Sequence, residues 1–132
     1  MTNRMNKSKL GLKRNTVRLV PHQKEWLVMG QKACLGIREA CGDLVIDVQH
    51  VGSTAVPGLE AKPIIDLAIA VRDKADIAEI TPGLEGLGFI DRGDRGNSGG
   101  YLFVMDSEPD VRVIHLHIVE ETDPQWLEYL NF

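Results

Sequence analysis

The side chains best suited to chemistry fall within one stretch, residues 50–70, which reads HVGSTAVPGLEAKPIIDLAIA. Gly52, Ser53 and Thr54 form a turn of small residues at the end of an apolar run. Such turns present backbone N–H groups and hydroxyls to phosphate oxygens. Asp66 lies in the next apolar run, where a carboxylate is costly unless it is paired or bound to a metal ion. The stretch therefore predicts a phosphate-binding turn beside a catalytic or metal-binding aspartate.

Each of these residues also has a purely structural interpretation. A tight turn between two strands needs glycine whether or not a ligand binds there. Lys62 can neutralise a phosphate as a point charge, but it can equally form an ion pair with Asp66. A structural salt bridge would then account for Asp66 without any metal. The residue types alone leave these alternatives open.

Two histidines near the end of the chain extend the metal hypothesis. His115 and His117 alternate with aliphatic residues in VRVIHLHIV, so on a strand both lie on one face. Imidazole suits zinc, nickel or iron, and together with Asp66 the two rings would form a transition-metal site. The alternative is a pair of core histidines hydrogen-bonded to the backbone or to Asp66. His22 stands beside Pro21 and is predicted to be a surface residue.

Hydrophobic spacing predicts the elements that hold these residues. Apolar side chains recur every three or four residues over 23–41, which predicts a helix ended by Gly42. Residues 44–51 and 64–71 are apolar runs typical of strands, and the second is apolar on both faces after Asp66, which predicts a central strand. Further elements are an extended lead-in over 16–20, a weaker helix over 73–87 interrupted at Pro82-Gly83, a third strand from Phe89, a glycine-rich loop over 91–100, a hairpin of 101–105 and 111–119, and a final helix with Trp126, Leu127 and Leu130 on its apolar side. This order predicts an α+β fold, a mixed β-sheet with helices packed on it.

Length and charge bound the organisation of the chain. Its 132 residues suffice for one domain with its own core. The first 14 residues contain five bases and no acid, so we expect residues 1–15 to be a disordered basic leader and residues 16–132 to form the domain. The remainder is acidic, which argues against nucleic acid as a partner. Arg92, Arg95 and Arg112 are either solvated or available to an acidic ligand.

The cysteines and the hydropathy pattern indicate a compartment. Cys34 and Cys41 are two turns apart on the predicted helix, too far for a disulfide. A chain without a disulfide framework is typical of the reducing cytoplasm. No apolar run approaches the ~20 residues that a membrane-spanning helix needs. We therefore expect a cytoplasmic protein without a membrane partner.

The motif HVGSTAVPGLEAKPIIDL resembles the hallmark of the GrpB family, within the nucleotidyltransferase superfamily. HLHIVE near the end and VRLVPHQKEW near the start match that family's order of segments, so the resemblance spans residues 16–132. It implies a nucleotidyltransferase-like fold. In such proteins a Gly-Ser turn contacts the triphosphate, two carboxylates spaced Asp-x-Asp hold a divalent metal, and a later strand supplies a third. Here Asp66 matches the first carboxylate, but Ala68 stands at the second, and Glu120 lies only at the far end of the last strand.

Three functions remain open on this basis. The first is an enzyme that transfers a nucleotidyl group, or acts on a phosphorylated small molecule, with Asp66 and a divalent cation, either Mg²⁺ or a transition metal. The second is a non-catalytic module that binds a nucleotide or a CoA-like ligand, since GrpB-like domains also occur fused to dephospho-CoA kinase. The third is a scaffold with its interface at residues 126–132. The sequence makes no prediction of the acceptor or the oligomeric state.

Overall fold

A computed structural model describes residues 10–16 and 18–131, which form a mixed β-sheet with three helices. Val20, which lies between the first strand and the first helix, forms an isolated bridge with Ala61. The elements in chain order are β1 (Leu12–Lys13), α1 (Lys24–Cys41), β2 (Val45–Val51), β3 (Ile65–Val71), α2 (Asp76–Gly86), β4 (Ile90–Asp94), β5 (Tyr101–Glu108), β6 (Val111–Glu120) and α3 (Pro124–Leu130).

The sheet has the strand order β2-β3-β6-β5-β4. β3 and β6 run parallel, whereas β2–β3, β5–β6 and β4–β5 are antiparallel pairs. The predicted α+β class with a mixed sheet is therefore confirmed, and so is the central position of the strand that carries Asp66. β3 lies between β2 and β6 and is buried along nearly its whole length.

Two helices cover one face of this sheet. Side chains of α1 and α2, among them Ile37, Ile80 and Leu84, pack on Leu67 and Ile69 of β3 in the main core. Two glycines allow the close packing, because a Cβ at Gly30 of α1 would clash with the His50 ring, and one at Gly83 of α2 would lie 2.7 Å from the Ala40 carbonyl oxygen of α1. Alternation along β3 sends Asp66, Ala68 and Ala70 to the opposite face.

The short helix α3 covers part of that opposite face. Asp123 caps it by accepting a hydrogen bond from the Gln125 amide, and Pro124 occupies the first turn, where its missing N–H costs nothing. Trp126 is buried against the sheet, but Leu127 and Leu130 are 62% and 44% exposed. The predicted apolar side of this helix is therefore confirmed for Trp126 but wrong for Leu127 and Leu130, because the helix buries Gln125 beside Trp126 instead.

The N-terminal segment also departs from the sequence prediction. Leu10 packs against the core, and β1 pairs with β6 through Leu12 and Arg112. The Gly11 amide donates to the Pro63 carbonyl at 2.7 Å, which joins β1 end-on to the segment before β3. A disordered leader reaching residue 15 is therefore contradicted from residue 10 onward, because this segment completes one side of β6. The rest of that prediction, residues 1–9, lies outside the described residues.

Smaller differences concern element boundaries. Pro82-Gly83 does not interrupt α2, because the burial of Ile77, Ile80 and Leu84 holds the helix together around the proline. β4 extends to Asp94 into the predicted glycine-rich loop, and β5 extends to Glu108. Cys34 and Cys41 are free thiols, as expected. No helix within the described residues has the length and apolarity needed to span a bilayer.

Candidate functional site

The parallel pairing of β3 with β6 brings the predicted site residues together. Asp66 lies in register with His115, and Ala68 lies in register with His117. Residues in register on neighbouring strands point to the same face. Asp66, His115 and His117 therefore share the face opposite α1 and α2, and the sequence prediction that they converge agrees with the structure.

The three side chains form a compact group of potential ligands. The Oδ1 atom of Asp66 lies 3.5 Å from Nδ1 of His115 and 3.5 Å from Nε2 of His117. All three ligand atoms lie within 4.8 Å of one another. The side chains of Asp66 and His115 are each 33% exposed, and that of His117 is 18% exposed. The group is thus sheltered by the fold but reachable from solvent.

A backbone carbonyl fixes the orientation of the His117 ring. Nδ1 of His117 lies 3.0 Å from the carbonyl oxygen of Gly99, which can only accept, so Nδ1 carries the hydrogen and donates it. In a neutral ring the lone pair of Nε2 then faces the Asp66 carboxylate. A ring protonated on both nitrogens would instead donate from Nε2 to Asp66, and a metal cation between the two atoms would have the same stabilising effect. Metal-binding histidines commonly have such a carbonyl on the second nitrogen.

Opposing forces act on the ionisation of Asp66. Burial favours its neutral form, but the hydrogen bonds that His115 and His117 donate when protonated, together with their charge, outweigh burial and lower the pKa of Asp66 below its ordinary value. Tyr129 of α3 stacks on the His117 ring with 5.3 Å between the centroids. Burial and the nearby Asp66 charge raise the pKa of Tyr129 to about 12. The carboxylate is therefore the ionised, ligating form at neutral pH, and Tyr129 is a neutral wall of the site.

A cavity of about 380 Å³ opens beside this group, and Ser53, Lys62, Asp66 and His115 line it. Lys62 is exposed and forms no ion pair with Asp66, so the ion-pair alternative is not what the structure contains. Gly52 contacts Asp66 directly. Its φ of +76° and the 3.0 Å that would separate an added Cβ from Oδ2 of Asp66 both disfavour a side chain there. The turn and the aspartate thus belong to one site.

Thr54 does not reach this cavity. Its side chain is 1% exposed, and its hydroxyl is hydrogen-bonded to Nε2 of His50 at 2.9 Å. A phosphate contact through the Thr54 hydroxyl is therefore contradicted, because that group holds the turn to β2. The Thr54 carbonyl also lies 3.2 Å from Nε2 of His22. His22 is thus a partly buried support of the turn, which corrects its prediction as a surface residue.

Ala68, at the position that matches the second carboxylate of the family pattern, is closed off from solvent. Ala68 is fully buried in a cluster with Val51, Ala70, Val119 and Trp126. Glu120 accepts a hydrogen bond from the Lys74 amide at the other end of β6. Mg²⁺ prefers oxygen ligands, whereas two of the three candidate ligand atoms here are imidazole nitrogens. One oxygen and two imidazole nitrogens instead suit a single transition-metal cation.

Two contributors to the site were missed in the sequence. Gly99 supplies the carbonyl for His117, and its own φ of +133° with a Cβ 3.2 Å from the His117 ring requires glycine. The sequence NSGG at residues 97–100 predicted only a loop. Tyr129 lies in α3, whose apolar side was predicted to include Leu127 and Leu130 rather than Tyr129. Both contacts join distant parts of the chain, so local patterns carried no signal for them.

Known proteins match the segment that contains these site residues. A family model described as GrpB protein matches residues 16–132. The chain is 31% identical over 126 residues to glutamate-rich protein GrpB of Alkalihalophilus pseudofirmus, a match that covers 93% of this chain and 72% of that protein. It is 39% identical over 74 residues to a UPF0157 protein of Halalkalibacterium halodurans, covering 56% of this chain but only 38% of that protein.

Two further similarities concern structure and domain context. A crystal structure of conserved protein GrpB from Enterococcus faecalis superimposes with a TM-score of 0.71 at 26% identity, covering 83% of this chain and 66% of that chain. A dephospho-CoA kinase of Mycolicibacterium paratuberculosis is 37% identical over 87 residues, which is 64% of this chain and 21% of that protein. The chain thus spans only part of several of the relatives that it matches.

Proposed function

The chain belongs to the GrpB family, and on that premise we propose that it binds a nucleotide or another phosphorylated small molecule through a single divalent cation. Asp66, His115 and His117 hold the cation, and Ser53 and Lys62 contact the phosphate. The observation that carries this proposal is the His117 ring. Its Nδ1 is committed to the Gly99 carbonyl, so in the neutral ring the Nε2 lone pair faces the Asp66 carboxylate and is free to bind a cation.

The neighbouring cavity indicates the ligand class. Ser53 offers a hydroxyl and Lys62 a positive charge, and both line the space that Asp66 and His115 also line. The amides of Ala55 and Val56 are used in hydrogen bonds within the turn, whereas the side chains of Ser53 and Lys62 line the cavity and can contact a phosphate. A cation bound beside them would neutralise phosphate charge and act as a Lewis acid. The protein residues orient the ligand and shelter it from water.

Binding is favoured over efficient transfer. Two-metal phosphoryl and nucleotidyl chemistry needs several carboxylates that share the cations. The apolar cluster around Ala68 supports an assignment with one cation and, at most, weak nucleotidyl transfer. The binding module is therefore the preferred function, and the weak transferase is the second candidate, supported by the retained Asp66 and the Gly52-Ser53 turn.

Titration of the metal-free protein with Zn²⁺, Mn²⁺ and Mg²⁺ tests the cation. We expect Zn²⁺ to bind more tightly than Mg²⁺, and His117→Ala or Asp66→Asn to weaken Zn²⁺ by at least about tenfold. Asp43→Asn is the matched control for Asp66→Asn, because Asp43 is exposed and lies outside the triad. Equal Zn²⁺ affinity in wild type and both triad variants would disprove the proposed site.

Nucleotide binding and turnover are then measured together. With Zn²⁺ or Mn²⁺ present, ATP should stabilise the wild type in a thermal melt, and Lys62→Gln should reduce that shift. Pyrophosphate release from ATP should be slow or absent with every metal. Robust release with Mg²⁺ that disappears in Asp66→Asn would replace the binding module by the transferase.

A further inference from the structure

A second cavity adjoins the candidate site on the side away from Lys62. Its volume is about 430 Å³, and it shares Ile64 and His115 with the cavity beside Asp66. Cavities of this size accommodate small molecules. We call it the basic groove, because four of its lining residues are cationic: Lys13, Arg14, Arg92 and Arg112.

The positive charge of the basic groove is not balanced locally. Asp106 and Asp110 are the acids that line it. Nε of Arg112 donates to Asp106 at 2.6 Å, and Arg14 forms a highly exposed pair with Asp110 at 3.6 Å. Within the described residues, neither Lys13 nor Arg92 forms an ion pair. Two cations therefore remain without a carboxylate, in a chain whose overall net charge is −4.

Irregular backbone directs these groups into the groove. The register of β4 against β5 shifts between Asp91 and Gly93, so Arg92 is the extra residue of a bulge, and Gly93 has a φ of +88°. The register of β5 against β6 shifts on both sides of Asp106. Bulges of this kind redirect a side chain out of the regular alternation, often next to functional sites. The pairing of β1 with β6 brings Lys13 to the same place.

Arg112 links the groove to the triad. Its guanidinium nitrogen lies 3.5 Å from Nε2 of His115, whose Nδ1 faces Asp66. Arginine side chains bind carboxylate and phosphate oxygens with charge-assisted hydrogen bonds. A molecule whose acidic group lay in the groove would therefore reach Asp66 and His115 with its other end.

We propose that the basic groove binds the phosphate or carboxylate group of a small acidic molecule, which is the second ligand of the candidate site. Only the description of this molecule as a second ligand rests on the proposed function. Anion binding by the groove is measurable without any metal. The cationic residues come from both ends of the chain, so the N-terminal strand is part of the binding surface.

The test uses the full chain in metal-free buffer, with inorganic pyrophosphate and citrate as separate probes in calorimetric titrations. Arg92→Glu should weaken the preferred probe by at least about tenfold, since a hydrogen bond to a charged group is lost and a repulsive charge is added. Arg95→Glu is the matched control, because Arg95 is also exposed but does not line the groove. Tighter binding of one probe identifies the acidic group as phosphate or carboxylate.

The possible outcomes separate this inference from the proposed function. Loss of anion binding in Arg92→Glu, with Lys62→Gln and Arg95→Glu unchanged, supports the groove. Loss in Lys62→Gln alone assigns the anion to the first cavity and overturns the groove, and so does binding of neither probe to the wild type. Zn²⁺ titration of Arg92→Glu without anion should match wild type. If Zn²⁺ does not bind at all, the cation proposal fails while the groove result stands.

Discussion

Asp66 and Ala68 are neighbours on the same face of β3, yet their surroundings are opposite. Asp66 is one-third exposed between two histidines and opens to a cavity. Ala68 is fully buried beneath Trp126 and Tyr129. The strand and its partner are the same at both positions, so the difference comes from α3, which covers one end of the face and leaves the other open. A seven-residue helix thus limits the polar site to one carboxylate.

This contrast predicts that a second carboxylate is not tolerated at the sealed end. In Ala68→Asp the new charge would be buried in the apolar cluster of Val51, Ala70, Val119 and Trp126. We expect the free energy of unfolding to fall by about 3–5 kcal/mol, measured by urea denaturation. Ala78→Asp is the matched control, because Ala78 is exposed near the start of α2, where an acid is tolerated. Unchanged stability together with new Mg²⁺ binding in Ala68→Asp would show that α3 readily opens.

The packing of α3 on the sheet should make the next largest contribution to the free energy of unfolding. Trp126→Ala removes a side chain that is only 8% exposed. Truncation of a buried aromatic residue should lower the free energy of unfolding by about 3 kcal/mol. Leu127→Ala, at the neighbouring position but 62% exposed, should change it by less than about 0.5 kcal/mol. Equal effects of the two substitutions would mean that α3 does not seal the sheet.

The end of the sheet face that α3 leaves uncovered, around Asp66, depends on a glycine in the neighbouring turn. Gly52 and Gly58 both have positive φ, but only at Gly52 would a Cβ approach a neighbour, the Asp66 carboxylate. Alanine at either position should cost about 1–2 kcal/mol of stability through backbone strain. Only Gly52→Ala should also weaken Zn²⁺ binding, because it displaces Asp66. Calorimetry on both variants tests this, and equal Zn²⁺ affinities would separate the turn from the cation site.

The smallest expected effect is a pH dependence of stability that arises from His50, whose ring is hydrogen-bonded to Thr54 of the turn. Burial, partly opposed by Asp66, lowers the pKa of His50 below its ordinary value. Folding therefore favours neutral His50, so its contribution is complete above the pKa of the unfolded chain and is lost as pH falls through the folded pKa. Urea midpoints at about pH 7.5 and about pH 5 should differ less in His50→Gln than in wild type. An identical difference would exclude His50 as a source.

Local patterns predicted what depends on local spacing. The helix at α1, the strands β2 and β3, the central place of β3 and the β5–β6 hairpin all follow from the period of their apolar residues. The shared face of His115 and His117 follows from alternation along a strand. Placement of Asp66 beside them needed only the right neighbour for β3, which the family resemblance made plausible.

The rest depends on contacts between distant segments. A two-residue strand such as β1 has no periodic signature, and its place is decided by β6 and Pro63. The burial of Trp126 rather than Leu127 depends on how α3 meets the sheet. The bulge at Arg92 and the Gly99 carbonyl on His117 are consequences of pairing register, which single-chain spacing does not encode. The sequence therefore predicted the convergence of Asp66, His115 and His117 better than it predicted the residues that support them.

The parallel pairing of β3 with β6 also has a consequence for biosynthesis. β3 is made early and has only β2 as a neighbour until residues 111–120 have left the ribosome. β1 is separated from its partner by an even longer stretch of chain, since it pairs with β6 near the opposite end. Such non-local pairs form late because a long loop must close first. A nascent chain therefore exposes one flank of β3 and the N-terminal segment during synthesis, and the face that carries Asp66, His115 and His117 is assembled in one late step when β6 inserts between β3 and β5.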